Sequence, residues 1–199
     1  MPSRPAFYTT EQDSPGKREI LRAALELFSE RGLAGTSIRD IAEKSGYTNP
    51  ALYKHFAGKD EVALYLFEQC HVWVWTRCAA ALASAEGFEA KLDAYVGAWL
   101  ELLDEAPQVL AFLADSARAL WPRASATVRR KTMIGLARTL AGEAPGVGGS
   151  RTAVDRDAAA ASIQGTLAEL GRMIQVGVVP GPARKWRERL VTLFRQLIG

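Results

Sequence analysis

The sequence predicts an all-α protein of about nine helices: an N-terminal three-helix helix-turn-helix domain, then a C-terminal helical domain. Two observations from the residues carry the fold. Apolar residues recur at the three- and four-residue spacing of one helix face along most of the chain, and glycine or proline falls where these stripes stop. Two short helical patterns joined by a tight glycine turn, with a third pattern to cover their apolar sides, make up a helix-turn-helix. With 199 residues, 48% of them hydrophobic, the chain can bury a sizeable core.

Charge and cysteine usage narrow the class. Charged residues make up 24% of the chain and the formal net charge is +3, which permits a nucleic-acid partner without demanding one. Charge or glycine breaks every apolar stretch before the ~18 residues of a membrane span, and the N-terminus lacks the apolar core of a signal peptide. The expected location is therefore the cytoplasm. Cys70 and Cys78, eight apart in one helical pattern, point to a reducing compartment rather than a disulfide scaffold.

Residues 1–16, with Pro2, Pro5, Pro15 and Gly16, read as a flexible arm. Residues 17–60 read as the helix-turn-helix and 61–199 as the helical remainder. The first helix runs from Lys17 to Arg31, with Ile20, Ala24, Leu27 and Phe28 on one stripe and Gly32 as its stop. The second spans Ser37–Ser45, with Thr36 placed as its cap and Gly46 permitting the turn. Thr48 caps the third, where Pro50 is tolerated in the first turn.

A fourth helix, Lys59 to about Ala83, is apolar on more than one side. A fifth covers Phe88–Asp104, a sixth runs from Pro107 to Pro122, and a seventh spans Ser125–Ala141. Residues 142–150 form a loop; Gly146, Gly148 and Gly149 follow no strand, so a phosphate-binding reading is weak. Helices over Thr152–Val178 and Pro182–Ile198 close the chain as an antiparallel hairpin.

The run from Thr36 to Phe56 (TSIRDIAEKSGYTNPALYKHF), followed by Gly58-Lys59-Asp60-Glu61, closely resembles the DNA-binding signature of the TetR family of transcriptional regulators. The likeness extends back through Ala24, Leu27, Phe28 and Gly32-Leu33. It covers about the first third of the chain, and the remainder matches that family only in style.

A recognition helix enters the major groove N-terminus first, so Tyr47, Thr48, Asn49 and Ala51 are the candidates for base or sugar contact. Asn49 leads, because its amide donates and accepts together, as adenine requires. Lys54 lies further along the same segment. The resemblance implies that Tyr53, His55 and Lys59 meet phosphates. Thr36, Ser37 and Arg39 offer hydroxyls, backbone N–H groups and a cation to the opposite side of the groove. Each residue also has a plain reading: Tyr53 as core cover, His55 as a helix cap, Arg39 with Asp40 and Glu43 as a solvated face, Thr36 and Thr48 as caps. A further expectation is that the arm, with Arg4, Lys17 and Arg18, reaches the neighbouring DNA backbone or minor groove.

In the second domain Phe67, His71, Val74, Tyr95, Trp99, Phe112 and Trp121 are candidates to line an effector cavity, with Gln164 as a polar orienter. Plain core packing is the competing reading for each aromatic. Cys70, His71 and Cys78 lack further ligands at metal spacing, so neither a metal nor any other cofactor is expected. Trp186, Leu190, Leu193, Phe194 and Leu197 form one stripe of the last helix, and Ala161, Gly165 and Ala168 repeat on its partner. The resemblance implies that this hairpin pairs with its copy as a four-helix bundle; packing on its own domain is the alternative.

The expected function is a non-enzymatic repressor that binds a palindromic operator as a homodimer and is released by a small apolar or amphipathic molecule. An activator, or a regulator without a ligand, is the nearest alternative, and an architectural DNA-binding protein a remote one.

Overall fold

The computed structural model describes residues 8–10, 12–145 and 155–198. All secondary structure among them is helical: α1 (Pro15–Arg31), α2 (Ile38–Ser45), α3 (Asn49–Tyr53), α4 (Lys59–Ala83), α5 (Gly87–Glu105), α6 (Pro107–Leu120), α7 (Ala126–Arg130), α8 (Met133–Ala141), α9 (Arg156–Gln175) and α10 (Arg187–Ile198). Short 3-10 turns occupy Trp121–Arg123 and Ala183–Trp186. The chain divides into two compact units, residues 1–73 with 108–130 and residues 74–107 with 131–199. The continuous helix α4 therefore supplies residues to both.

In the first unit, Ile20, Leu21, Leu27 and Phe28 of α1, Ile41 of α2, Leu52 of α3, Leu66 and Phe67 of α4 and Phe112 of α6 are buried almost completely. Burying a side chain of this size stabilises by about 1.5–3 kcal/mol, so this shared core holds even the five-residue α3 in place. Phe112 stacks on Phe28 at 5.6 Å and meets Phe67 edge-on at 6.4 Å.

Helix α1 begins two residues before the predicted Lys17, because Ser14 accepts a hydrogen bond from the Lys17 N–H and Pro15 suits a first turn. The arm predicted over residues 1–16 is correspondingly corrected. Residues 1–7 and 11, Arg4 among them, lie outside the described residues. Tyr8 is buried, and the Thr10 N–H donates to Asp13 Oδ2 at 2.6 Å. Arg18 donates to the carbonyls of Asp13 and Thr10, and Lys17 pairs with the Asp13 carboxylate at 2.7 Å. Lys17 and Arg18, two of the three arm cations expected on DNA, thus hold the chain's own Thr10 and Asp13.

The second unit packs α5, α8, α9 and α10 around Leu92, Tyr95, Leu100, Leu140, Ile163, Leu167 and Phe194. The predicted seventh helix is in fact two. Thr132 accepts from the Gly135 N–H at 3.0 Å and caps a new helix inside that run, giving α7 and α8. At the other end, Asp155 caps α9 with bonds from the Asp157 and Ala158 N–H groups, and Ala183–Trp186 winds as 3-10 before α10, so both hairpin helices are shorter than predicted. The glycines 146, 148 and 149 of the predicted loop fall outside the described residues.

Candidate functional site

The helix-turn-helix is held by local chemistry that the side chains dictate. Ser37 caps α2 reciprocally: its hydroxyl accepts from the Asp40 N–H at 3.2 Å, and the Asp40 carboxylate accepts from the Ser37 N–H at 2.7 Å. These bonds draw the Asp40 carboxyl below the usual carboxylate range. The helix ends at Gly46, whose φ of 75° is left-handed and suits glycine, and the Tyr47 N–H closes on the Ala42 carbonyl at 3.0 Å. Thr48, as predicted, caps α3 by accepting from the Ala51 N–H.

Thr36 is a correction. It is not the cap of α2; its hydroxyl is buried and donates to the carbonyls of Gly32 (2.9 Å) and Leu27 (3.3 Å), locking the α1–α2 connection. The cap belongs to its neighbour because only Ser37 stands three residues before the reciprocating Asp40.

The remaining predicted contact residues differ in what they have free. Ser37, Arg39, Thr48, Tyr53 and Lys54 are exposed, Tyr53 at 52% despite its large ring. Ala51 and His55 are half-buried. Tyr47 is half-buried, with its hydroxyl against Gly16 of α1, where a Cβ would lie 2.9 Å away. Lys59 donates to the Leu33 carbonyl at 2.7 Å. Asn49 is half-buried, and its Oδ1 is the one shielded side-chain polar atom without a hydrogen-bond partner among the described residues.

The predicted effector residues fall into two groups. Phe67, His71, Phe112 and Trp121 cluster in the first unit, with His71 stacked on Phe67 and edge-on to Trp121 at 5.2 Å. Tyr95, Trp99 and Gln164 meet in the second, where Gln164 Oε1 accepts from the Tyr95 hydroxyl at 3.0 Å and the Trp99 indole N–H at 3.4 Å. Val74 is buried at the start of the second unit's share of α4. Burial raises the Tyr95 phenol far above its usual range, so it stays a proton donor. Elsewhere in that unit, a cleft of about 250 Å³ is lined by Ala79, Leu82, Leu136 and Leu140, and the Lys91–Glu143 ion pair (2.6 Å) sits among its walls.

Cys70 and Cys78 are fully buried; burial pushes the Cys78 thiol up to about 12 and the Cys70 thiol higher still. On α9, Ala161, Gly165 and Ala168 are exposed, with no atom within 4 Å of a Cβ at Gly165. The last-helix stripe splits. Leu190 and Phe194 face the unit's own core, Trp186 is half-buried with its indole N–H on the Pro180 carbonyl, and Leu193 and Leu197 are 46% and 42% exposed.

Sequence reasoning missed the cluster of Asp13, Lys17, Phe56 and Tyr65. The four-residue spacing of Asp13 and Lys17 was its only local sign, and the Tyr65 partner lies 52 residues away.

A family model described as bacterial regulatory proteins of the tetR family matches residues 20–66. The chain is similar to the HTH-type transcriptional repressor KstR2 of Mycolicibacterium smegmatis, with 28% identity over 112 residues, 56% of this chain and 55% of that protein. It is 41% identical to KstR2 of Mycobacterium tuberculosis over 59 residues, 30% of each chain. The chain thus spans about half the length, or less, of these relatives. Among solved structures, the ketosteroid transcriptional regulator KstR2 of Mycobacterium tuberculosis superposes with a TM-score of 0.80 at 22% identity, covering 98% of both chains. FadR of Bacillus subtilis in complex with stearoyl-CoA gives 0.67 at 16% identity, covering 91% of this chain and 98% of that one. The structural likeness carries the fold over nearly the whole chain, and residues 20–66 carry the likeness to the tetR family of bacterial regulatory proteins.

Proposed function

We propose that this protein is a transcriptional repressor that binds a palindromic operator in the cytoplasm as a homodimer and releases it on binding an apolar or amphipathic small molecule. The observation that carries the DNA-reading half is Asn49: a side-chain amide at the first position of a capped helix, its Oδ1 without a partner, flanked by exposed Thr48, Tyr53 and Lys54. Once its side chain turns toward the groove, the Asn49 amide can accept from and donate to an adenine edge together, while Ser37, Arg39, Tyr53 and Lys54 grip phosphate without reading sequence. Enzymatic chemistry has no part in this reading.

Dimerisation is supported by the outward-facing Ala161, Gly165, Ala168, Leu193 and Leu197. Small residues on one helix let a second approach closely, and two exposed leucines supply apolar area to bury. Two recognition helices then read two half-sites one DNA turn apart. For the effector, the apolar cleft beside α8 and the Tyr95–Trp99–Gln164 set favour a molecule with an apolar body and a polar end. The relatives named for a ketosteroid regulator and crystallised with stearoyl-CoA support the same class. Because α4 supplies residues to both units, a shift of this helix on effector binding would alter operator affinity, and a coupling of about 1–3 kcal/mol changes it roughly 5- to 150-fold.

The test is a footprint of the purified protein on the DNA upstream of its own coding sequence, repeated with a panel of sterols, fatty acids and their thioesters. Protection of a palindrome that one of these compounds abolishes supports the reading. Uniform protection without sequence preference would instead indicate an architectural DNA binder.

A further inference from the structure

The five residues of α3 make one helical turn, so what holds its two ends decides where Asn49 points. Both ends rest on the first turn of α1. On the N-terminal side, Tyr47 lies so close to Gly16 that a Cβ there would stand 2.9 Å from the hydroxyl oxygen. On the C-terminal side, the Phe56 ring lies 5.4 Å from the Lys17 ammonium and edge-on to Tyr65 at 5.9 Å. Lys17 itself sits 3.8 Å from the centroid of the Tyr65 ring on α4.

One buried carboxylate organises this turn. Asp13, 6% exposed, accepts from the Tyr65 hydroxyl at 3.0 and 2.9 Å, from the Thr10 N–H at 2.6 Å and from Lys17 at 2.7 Å. Charge-assisted bonds of this kind are about twice as strong as neutral ones, and a buried carboxylate that loses a donor is costly. The Tyr65 bond reaches across 52 residues and fastens α4 to the turn on which both ends of α3 rest.

We propose that Asp13 and Tyr65 are positioning residues for operator recognition: their hydrogen bond clamps α4 to the first turn of α1, and Gly16 and Lys17 pass that constraint to the two ends of the recognition helix. The clamp rests on the reading of α3 as the recognition helix. It also gives α4 a route to α3, since any movement of α4 that pulls Tyr65 from Asp13 unseats Tyr47 and Phe56 together.

The experiment compares Tyr65→Phe, Asp13→Asn and Gly16→Ala with wild type, and uses Phe112→Leu, in the core against Phe28 and Phe67, as a destabilised control. Two quantities are read well below each melting temperature: backbone amide shifts by NMR, and affinity for the footprinted operator against unrelated duplex DNA. We expect the three clamp variants to shift amides across Tyr47–Phe56 and to weaken specific binding about tenfold, the effect of ~1.4 kcal/mol, with non-specific binding unchanged. Gly16→Ala separates the clamp from mere stability, because alanine favours a helix yet must displace Tyr47. Shifts confined to residues 8–17 and Tyr65, or specific losses no larger than that of Phe112→Leu, overturn the clamp. If wild type binds no palindrome while the α3 shifts appear, the repressor reading falls and the mechanical link stands.

Discussion

The Tyr95 hydroxyl donates to Gln164 Oε1 at 3.0 Å, joining α5 to α9 in the interior of the second unit, and the same oxygen accepts the Trp99 indole N–H. The two partners are not equivalent when removed. Tyr95→Phe deletes a donor and leaves Gln164 bonded to Trp99, so a loss of about 1 kcal/mol is expected. Gln164→Leu strands the buried Tyr95 hydroxyl and should cost about 2–3 kcal/mol. Urea melts of both variants, read as midpoint shifts at constant slope, check the order.

Asn49→Ala should leave the melting temperature near that of wild type, since it removes a half-buried amide whose oxygen bonds nothing. Its discrimination between the operator and a version with the contacted base pair changed should fall by about 1–3 kcal/mol. A binding titration on both duplexes decides it; an unchanged ratio removes Asn49 from the base-reading role.

Thr36→Val and Ser37→Ala should separate folding from grip. Valine at 36 leaves the Leu27 and Gly32 carbonyls without the Thr36 hydroxyl, an expected loss of about 1–3 kcal/mol in thermal stability with no change in the salt slope of DNA binding. Alanine at 37 breaks the capping box, costing about 0.5–2 kcal/mol, and shallows the slope if its hydroxyl or N–H also meets phosphate.

Acid stability should carry the mark of Asp13. Burial pushes its carboxyl upward, but bonds from Lys17, the Thr10 N–H and Tyr65 prevail and hold it below its ordinary value of 3.8. A carboxyl that is more acidic folded than unfolded stabilises the fold above the unfolded value, and that contribution is lost as pH falls through the folded one. Between pH 5 and pH 2, Asp13→Asn should therefore lose less stability than wild type, as read by urea midpoints.

Leu193→Asp places a charge on the outward face of α10, where Leu193 is 46% exposed in the single chain. The variant should keep its helical circular dichroism and sediment as a monomer under conditions where wild type sediments as a dimer. Gly165→Leu, which fills open space on α9, should act in the same direction.

Periodicity alone was enough for the all-helical class and for the order of the long helices, because a 3.6-residue apolar stripe records which side of a helix is buried. The residue run from Thr36 to Phe56 was enough for the helix-turn-helix, since its turn depends on a left-handed glycine and the cap of α3 on Thr48, both local chemistry; the cap of α2, expected at Thr36, belongs to Ser37. What tertiary structure alone decided were the choices among side chains with equal local credentials. Thr36 and Ser37 are adjacent hydroxyls, and only the fold buries one on α1 carbonyls and frees the other. Leu190 and Leu193 share a stripe, yet packing covers the first and exposes the second. Lys17 looked like a free cation until Asp13 and Tyr65 came to it from either side. The physical reason is that each choice depends on where elements end and pack: the Thr36 bonds form at the end of α1, packing of α10 covers Leu190, and Tyr65 reaches Asp13 from 52 residues away, none of which an apolar stripe records.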